Sequence, residues 1–431
     1  MKDRNKIDKL ATFLNDSPTA WHAVDNLKKI LTTKGYQEIK ESDRWRLKKG
    51  GRYFVCRNGS SLCAFAVPDR KPLRATILGS HTDSPALKLK PNPEYRKENM
   101  VMLGVEVYGG PLLNSWLNRD LGIAGRICCL SSTGEIEEKL VCIDDSPVVI
   151  PQLAIHLDRT VNETGLVLNK QEHLSALACL ANSKENDKNY LETLFKHETG
   201  NNRIISHDLF LYPIESARFV GKNKEMLSSY RIDNLCSVHS AVDALVSFEH
   251  SKKSETLTMG LFWDHEEIGS STAHGANSPF LTQMLERILL SLDMDRESYF
   301  TLLNSSLCIS VDLGHALNPN YTEKSDSRHN LLLNHGIVIK TNAIQAYATD
   351  ARSSAEIVKC CHSASIPYQM YVSRNDQPSG STIGPITARL SGISTVDIGI
   401  AQLSMHSCRE LISCQDHLDM CHLLKAMLES N

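Results

Sequence analysis

From about residue 216 onward, apolar runs of strand length alternate with runs of helical period. This alternation constrains the fold more than any other feature of the chain. A helix over 236–249 is followed by a strand at 256–263, a helix at 279–293 and strands at 307–312 and 335–341. A helix at 353–364, a strand at 367–373, a helix at 382–391, a strand at 394–399 and a last helix from about 408 complete the series. Strands separated by helices imply a largely parallel sheet covered on both faces, because each crossover packs back onto the sheet. The expected fold is α/β: a three-layer sandwich with a largely parallel mixed sheet.

The first 90 residues fit the same scheme. Residues 5–14 read as a short helix. Ser17 suits an N-cap and Pro18 the first helical position, opening a helix to about Thr33. Arg52–Cys56 and Leu62–Val67 flank Asn58-Gly59, a strong hairpin signal. Leu73–Leu78 is a buried strand running into Gly79-Ser-His-Thr-Asp-Ser-Pro85. The stretch 91–215 differs. It has short β-rich runs (Val101–Tyr108, Ile123–Leu130, Leu140–Ile143) broken by Gly and Pro, and helical period only at about 171–198. The expected organisation is one discontinuous α/β domain, 1–90 with 216–431, interrupted by an inserted β-rich domain at 91–215. With 431 residues the chain is too long for one simple core, which agrees with this division.

Charge and composition exclude several function classes. Lys and Arg total 47 against 50 Asp and Glu, a net charge of −3, so no basic footprint for nucleic acid is present. No apolar run approaches membrane-spanning length, and the charged start Met1-Lys-Asp-Arg is unlike a secretory signal. Thirteen Cys without framework spacing fit a reducing cytoplasm, with thiols acting mostly as small buried hydrophobes.

Glu266-Glu267 is the first chemical signal. The pair follows the strand at 256–263, where open α/β sheets carry their chemistry. A lone Glu-Glu is usually a solvated turn, and a lone His-x-Asp usually a loop pair. Here the pair is one of five such places. His81 and Asp83 follow the strand at 73–78, Asp233 precedes a helix, Asp312 ends the strand at 307–312, and His406 precedes the last helix. Imidazole and carboxylate ligands suit two divalent cations, zinc foremost, with manganese or cobalt as alternatives at one position. Asp233 would bridge both ions, His81 and Asp312 would complete one, and Glu267 and His406 the other. Asp83 would fix the orientation of His81, and Glu266 would be the general base acting on a water activated by the metals. A rival cluster lies in the last helix, where Cys414, His417 and Cys421 share a face, with Cys408 and His422 nearby. Core packing is the favoured reading there, because Cys-x-x-Cys pairs are absent and Leu411, Leu418 and Leu424 share the sector.

Six segments carry a family resemblance: Ser80-His-Thr-Asp-Ser-Pro85, Ser228-Ser-Tyr-Arg-Ile-Asp-Asn234, Asp264-His-Glu-Glu-Ile-Gly-Ser270, Ser310-Val-Asp-Leu-Gly-His-Ala316, Asn375–Pro385 and Met405-His-Ser407. Over nearly the whole chain they resemble the aspartyl aminopeptidase family of cocatalytic zinc exopeptidases. The resemblance implies removal of an N-terminal residue, often acidic, from peptides. It implies that the insertion is a dimerisation domain and that dimers build a tetrahedral homododecamer. It also implies that His156, in Ile150–Arg159, reaches a neighbouring subunit's active site and stabilises the tetrahedral intermediate. By the same resemblance Lys340 lines the pocket for the first side chain, and Gly380 and Thr382 belong to a glycine-rich helix start near the substrate. The chain departs from the family pattern at Asn318, at Tyr230 and in the stretch after Tyr212. A related dinuclear hydrolase (dipeptidase, carboxypeptidase or deacylase) and a non-catalytic shell protein are the alternative readings.

Overall fold

The computed structural model describes residues 2–181, 189–200 and 202–430. These divide into two compact units. Met1–Asp83, Ala217–Met405 and Glu410–Asn431 form the first, and Ser84–Ser216 with His406–Arg409 form the second.

The first unit is built on a thirteen-strand mixed sheet. Its centre is parallel. Thr256–Trp263 lies beside Arg74–His81, which lies beside Leu307–Val311, which lies beside Ser394–Leu403. These strands are buried over most of their length because both faces are covered. The alternation of side chains sends Leu257, Met259, Leu261 and Trp263 into one core and Phe262 into the other. Helices Phe280–Ser291 and Arg296–Ser305 and the start of Ile383–Ser391 cover one face. Helices Lys2–Asn15, Ala20–Thr33, Ile232–Ser247, Ala351–Ala364 and Cys414–Glu429 pack into the opposite core. The fold is the expected three-layer α/β sandwich.

Antiparallel strands extend the sheet on both sides. The expected hairpin pairs Arg52–Arg57 with Ser61–Ala66, and its turn places Asn58 at φ 53° and Gly59 at φ 69°, the left-handed region these residues tolerate best. Several expectations need correction. The second helix starts at Ala20, with Thr19 rather than Ser17 at the N-cap. A helix at Arg296–Ser305 and a strand at Glu410–Ser413 were not anticipated, so the last helix begins at Cys414 rather than near 408. Four residues of strand, followed at once by a helix, give too short a pattern to separate from the helix itself.

The second unit is a six-strand antiparallel sheet. It contains Met100–Tyr108, Leu121–Leu130 and Ile136–Val148, longer than the runs read from sequence. Within the expected helical run at 171–198 the structure has a strand at Ala176–Leu180 and short helices at Tyr190–Leu194 and Lys196–Thr199; residues 182–188 lie outside the described residues. Among the described residues no helix is long and apolar enough to cross a membrane.

Candidate active site

The parallel register brings the chemistry to one edge of the first unit's sheet. His81 is the last residue of its strand and pairs in register with Trp263. Ser310 is level with Gly79, so Asp312, just past its strand, comes level with His81. Glu266 and Glu267 open a short 3-10 turn three residues past Trp263. Asp233 lies in the first turn of Ile232–Ser247, where it and Asn234 are non-helical. Gly399 lets the neighbouring strand pass close beside Asp312, since a Cβ there would overlap the Asp312 carbonyl. That passage includes a hydrogen bond of 2.9 Å from the Asp312 amide to the Ile398 carbonyl.

The His81 ring is oriented by its hydrogen bonds. Its Nδ1 is 3.1 Å from the Asp83 carbonyl, which can only accept, so Nδ1 donates there and Nε2 is the nitrogen turned toward the carboxylates. Nε2 then faces three carboxylates: Asp233 Oδ1 at 3.5 Å, Asp312 Oδ1 at 3.7 Å and Glu266 Oε2 at 4.0 Å. Ligand atoms of His81, Asp233 and Glu267 lie within 4.8 Å of one another. The Asp83 carboxylate has a second task. Its two oxygens accept the backbone amides of Glu266 and Glu267, each at 3.1 Å, which pins the acidic turn against the end of the neighbouring strand. The Asp233 amide donates to Glu410 at 3.0 Å, and the Asn234 side chain donates to Ser80 and to the Val311 carbonyl.

This cluster is short of positive charge. Burial, reinforced by Asp312, Asp83 and Asp233, pushes Glu266 up to about 7. Burial and the nearby Asp83 push Asp264 up to about 7 as well. Burial opposes protonation of His81, yet Asp233, Asp312 and Asp83 hold its pKa well above the imidazole norm. Burial also works against the Asp312 charge, but the Lys340 ammonium, 3.4 Å away, helps keep it below the usual carboxylate range. Buried like charges are costly without a counter-charge. Oxygen donors grouped around one imidazole nitrogen are the ligand chemistry of a zinc-class cation, so the donor set fits the metal.

The family model described as "Aminopeptidase I zinc metalloprotease (M18)" matches residues 13–428. The chain belongs to this family. A probable M18 family aminopeptidase 2 from Clostridium acetobutylicum is 44% identical over 418 residues, covering 95% of each protein. Among solved structures, Ape4 in its complex with Nbr1 is 35% identical with a TM-score of 0.94, over 99% of this chain and 85% of that one. A dodecamer of mApe1 from S. cerevisiae is 26% identical with a TM-score of 0.84, over 98% of this chain and 95% of that one. The M18 chain is thus a zinc aminopeptidase by family.

The remaining expected site residues are placed as follows. His406 has φ 66° and belongs to the second unit, where its ring Nδ1 bonds the Gly110 carbonyl at 3.1 Å, leaving Nε2 as the acceptor nitrogen. His156 is exposed in an irregular stretch that also exposes Leu153, Ile155 and Leu157. Lys340 is buried at the end of Ile337–Lys340, with its ammonium on Asp312 and 5.5 Å from the Tyr347 ring. Gly380 is exposed. Thr382 is buried as the N-cap of Ile383–Ser391, donating to Asp397 at 2.6 Å and accepting the Gly384 amide at 3.2 Å.

Sequence reasoning missed Glu410 and Asp264. Glu410 was hidden in a segment read as helix. Asp264 carried a signal, a third acid directly before His265-Glu266-Glu267, that went unused.

In the rival cluster the structure brings together His417 and Cys421, and adds Cys236 and His239 from the helix Ile232–Ser247. Burial lowers His239 to about 4 and His417 well below the imidazole norm. Cys414 turns to the Lys224 carbonyl instead, and His422 is exposed.

Proposed function

We propose that this M18 chain is an aspartyl-type aminopeptidase, removing an acidic residue from the N-terminus of short peptides with two zinc ions and Glu266 as general base. The observation that carries this reading is the His81 Nε2 facing Asp233, Asp312 and Glu266, with Asp83 holding the amides of Glu266 and Glu267. His81, Asp233 and Asp312 would hold one ion, and Asp233, Glu267 and His406 the other, with Asp233 shared. The assignment of His406 rests on its sequence motif. When bound, the two ions supply Lewis acidity at the scissile carbonyl and a nucleophile at neutral pH.

The chain's own residues do the rest. Glu266 takes a proton from the attacking water and returns it to the leaving amine. Asp83 sets its position through the turn amides. Lys340, a buried cation, provides charge that favours a carboxylate on the substrate's first residue. Gly380 and Thr382 present the loop–helix junction to the substrate; Thr382 acts through its backbone, because its hydroxyl is already bonded. His156 reaches a neighbouring subunit's oxyanion, and the apolar side chains exposed beside it suit burial against a second copy. The insertion at 91–215 then serves as the dimerisation domain of a cytoplasmic tetrahedral homododecamer.

The test is a panel of peptides with different first residues, free or acetylated, assayed after chelation and add-back of zinc, manganese or cobalt. The reading expects cleavage only of free N-termini, fastest for Asp or Glu. Faster cleavage of the acetylated series would assign the centre to a deacylase instead.

A further inference from the structure

A second cluster of ligand-type side chains lies between two helices of the first unit, and peptide hydrolysis does not use it. Helix Ile232–Ser247 supplies Cys236 and His239, and helix Cys414–Glu429 supplies His417 and Cys421. Spacings of three and four residues put each pair on one helix face. All four side chains are buried. His417 Nε2 lies 3.1 Å from His239 Nδ1 and 3.5 Å from Cys421 Sγ, and its Nδ1 lies 3.1 Å from Cys236 Sγ. The ligand atoms of His239, His417 and Cys421 all fall within 4.8 Å of one another.

These separations are close to those of a tetrahedral zinc. Bonds of about 2.0 Å to nitrogen and about 2.3 Å to sulfur give edges of about 3.3 Å between nitrogens and about 3.5 Å from nitrogen to sulfur. An apolar core needs none of these groups, and burying four polar ones requires partners for each. We propose that His239, His417 and Cys421 form a second metal site, taking one zinc-class cation, separate from the carboxylate rim. Cys236, on the other ring nitrogen of His417, is a positioning residue that fixes that ring. Cys421 binds as the thiolate, and its proton passes to solvent. An entry path exists: a groove of about 590 Å³, lined by Phe13, Val242 and Asp243 among others, reaches His239. The ion would tie the helix that begins beside Asp233 to the C-terminal helix.

Cobalt(II) distinguishes this site from the rim, because a thiolate ligand gives a sulfur-to-cobalt charge-transfer band and oxygen and imidazole ligands do not. The full chain, stripped by chelator and reloaded with cobalt, should show this band for about one cobalt per chain, displaced by zinc. Cys421→Ser and, independently, His239→Gln should each remove the band while peptidase activity at saturating metal stays within about twofold of the parent. If Cys421→Ser does not fold, His239→Gln carries the same test. No band in the parent chain overturns the proposal. So does a band that survives both substitutions, which would belong to another cysteine.

Discussion

The two clusters of ligand-type residues differ in donor chemistry, access and origin. The rim gathers carboxylates around one imidazole from segments scattered along the chain, and keeps some of them reachable: Glu266 and Asp312 are 17% and 13% exposed. The interhelical cluster uses imidazole and sulfur from two helices and is deeply buried, with His417 and Cys421 at 0% and only His239 reached by a groove. Hard oxygen donors at the sheet edge leave room for a substrate, and burial together with the neighbouring carboxylates raises Glu266 to about 7. Soft donors with no room beside them for a substrate can only hold. Open sites do chemistry and closed ones fix structure, as zinc sites divide generally.

That contrast can be broken or sharpened by experiment. Chelation has the largest expected effect. It should abolish peptidase turnover, and zinc should restore it; activity surviving exhaustive chelation would break the assignment of the rim. Glu266→Gln comes next. It should lower kcat by about 10³-fold, within the usual range for a general base, with the metal content measured on the same sample unchanged. Asp83→Asn removes one of the two acceptors that hold the acidic turn. A loss of about 10–100-fold in kcat/KM or in metal affinity is expected, read from activity during a zinc titration. Thr382→Val should have the smallest effect. It deletes an N-cap and a hydrogen bond to the buried Asp397, costing about 1–2 kcal/mol in urea unfolding. KM should stay unchanged, whereas a large rise would mean that the hydroxyl touches the substrate.

Much of this was legible from sequence, for identifiable reasons. Thr256–Trp263 is mostly apolar, fully buried and bounded by charged residues, so its ends were readable to the residue. His81 ends its strand and Glu266, Glu267 and Asp312 follow theirs, and these strands are parallel neighbours, so reading the strands also located the rim. What escaped depends on tertiary contact. The grip of Asp83 on the Glu266 and Glu267 amides spans more than 180 positions. The Lys340–Asp312 pair joins two strand ends that do not pair with each other. His417 was visible as part of a helix face, but its partner His239 lies 178 residues away on another helix. Helix starts also blurred where non-helical backbone at Asp233 and Asn234 precedes the regular turns.

The most direct test of the central claim is anomalous diffraction at the zinc edge from crystals of the active protein. The account expects two peaks at the sheet edge sharing the Asp233 carboxylate, one beside His81 and Asp312 and the other beside Glu267. An edge without zinc in crystals whose dissolved protein still cleaves peptides would contradict it.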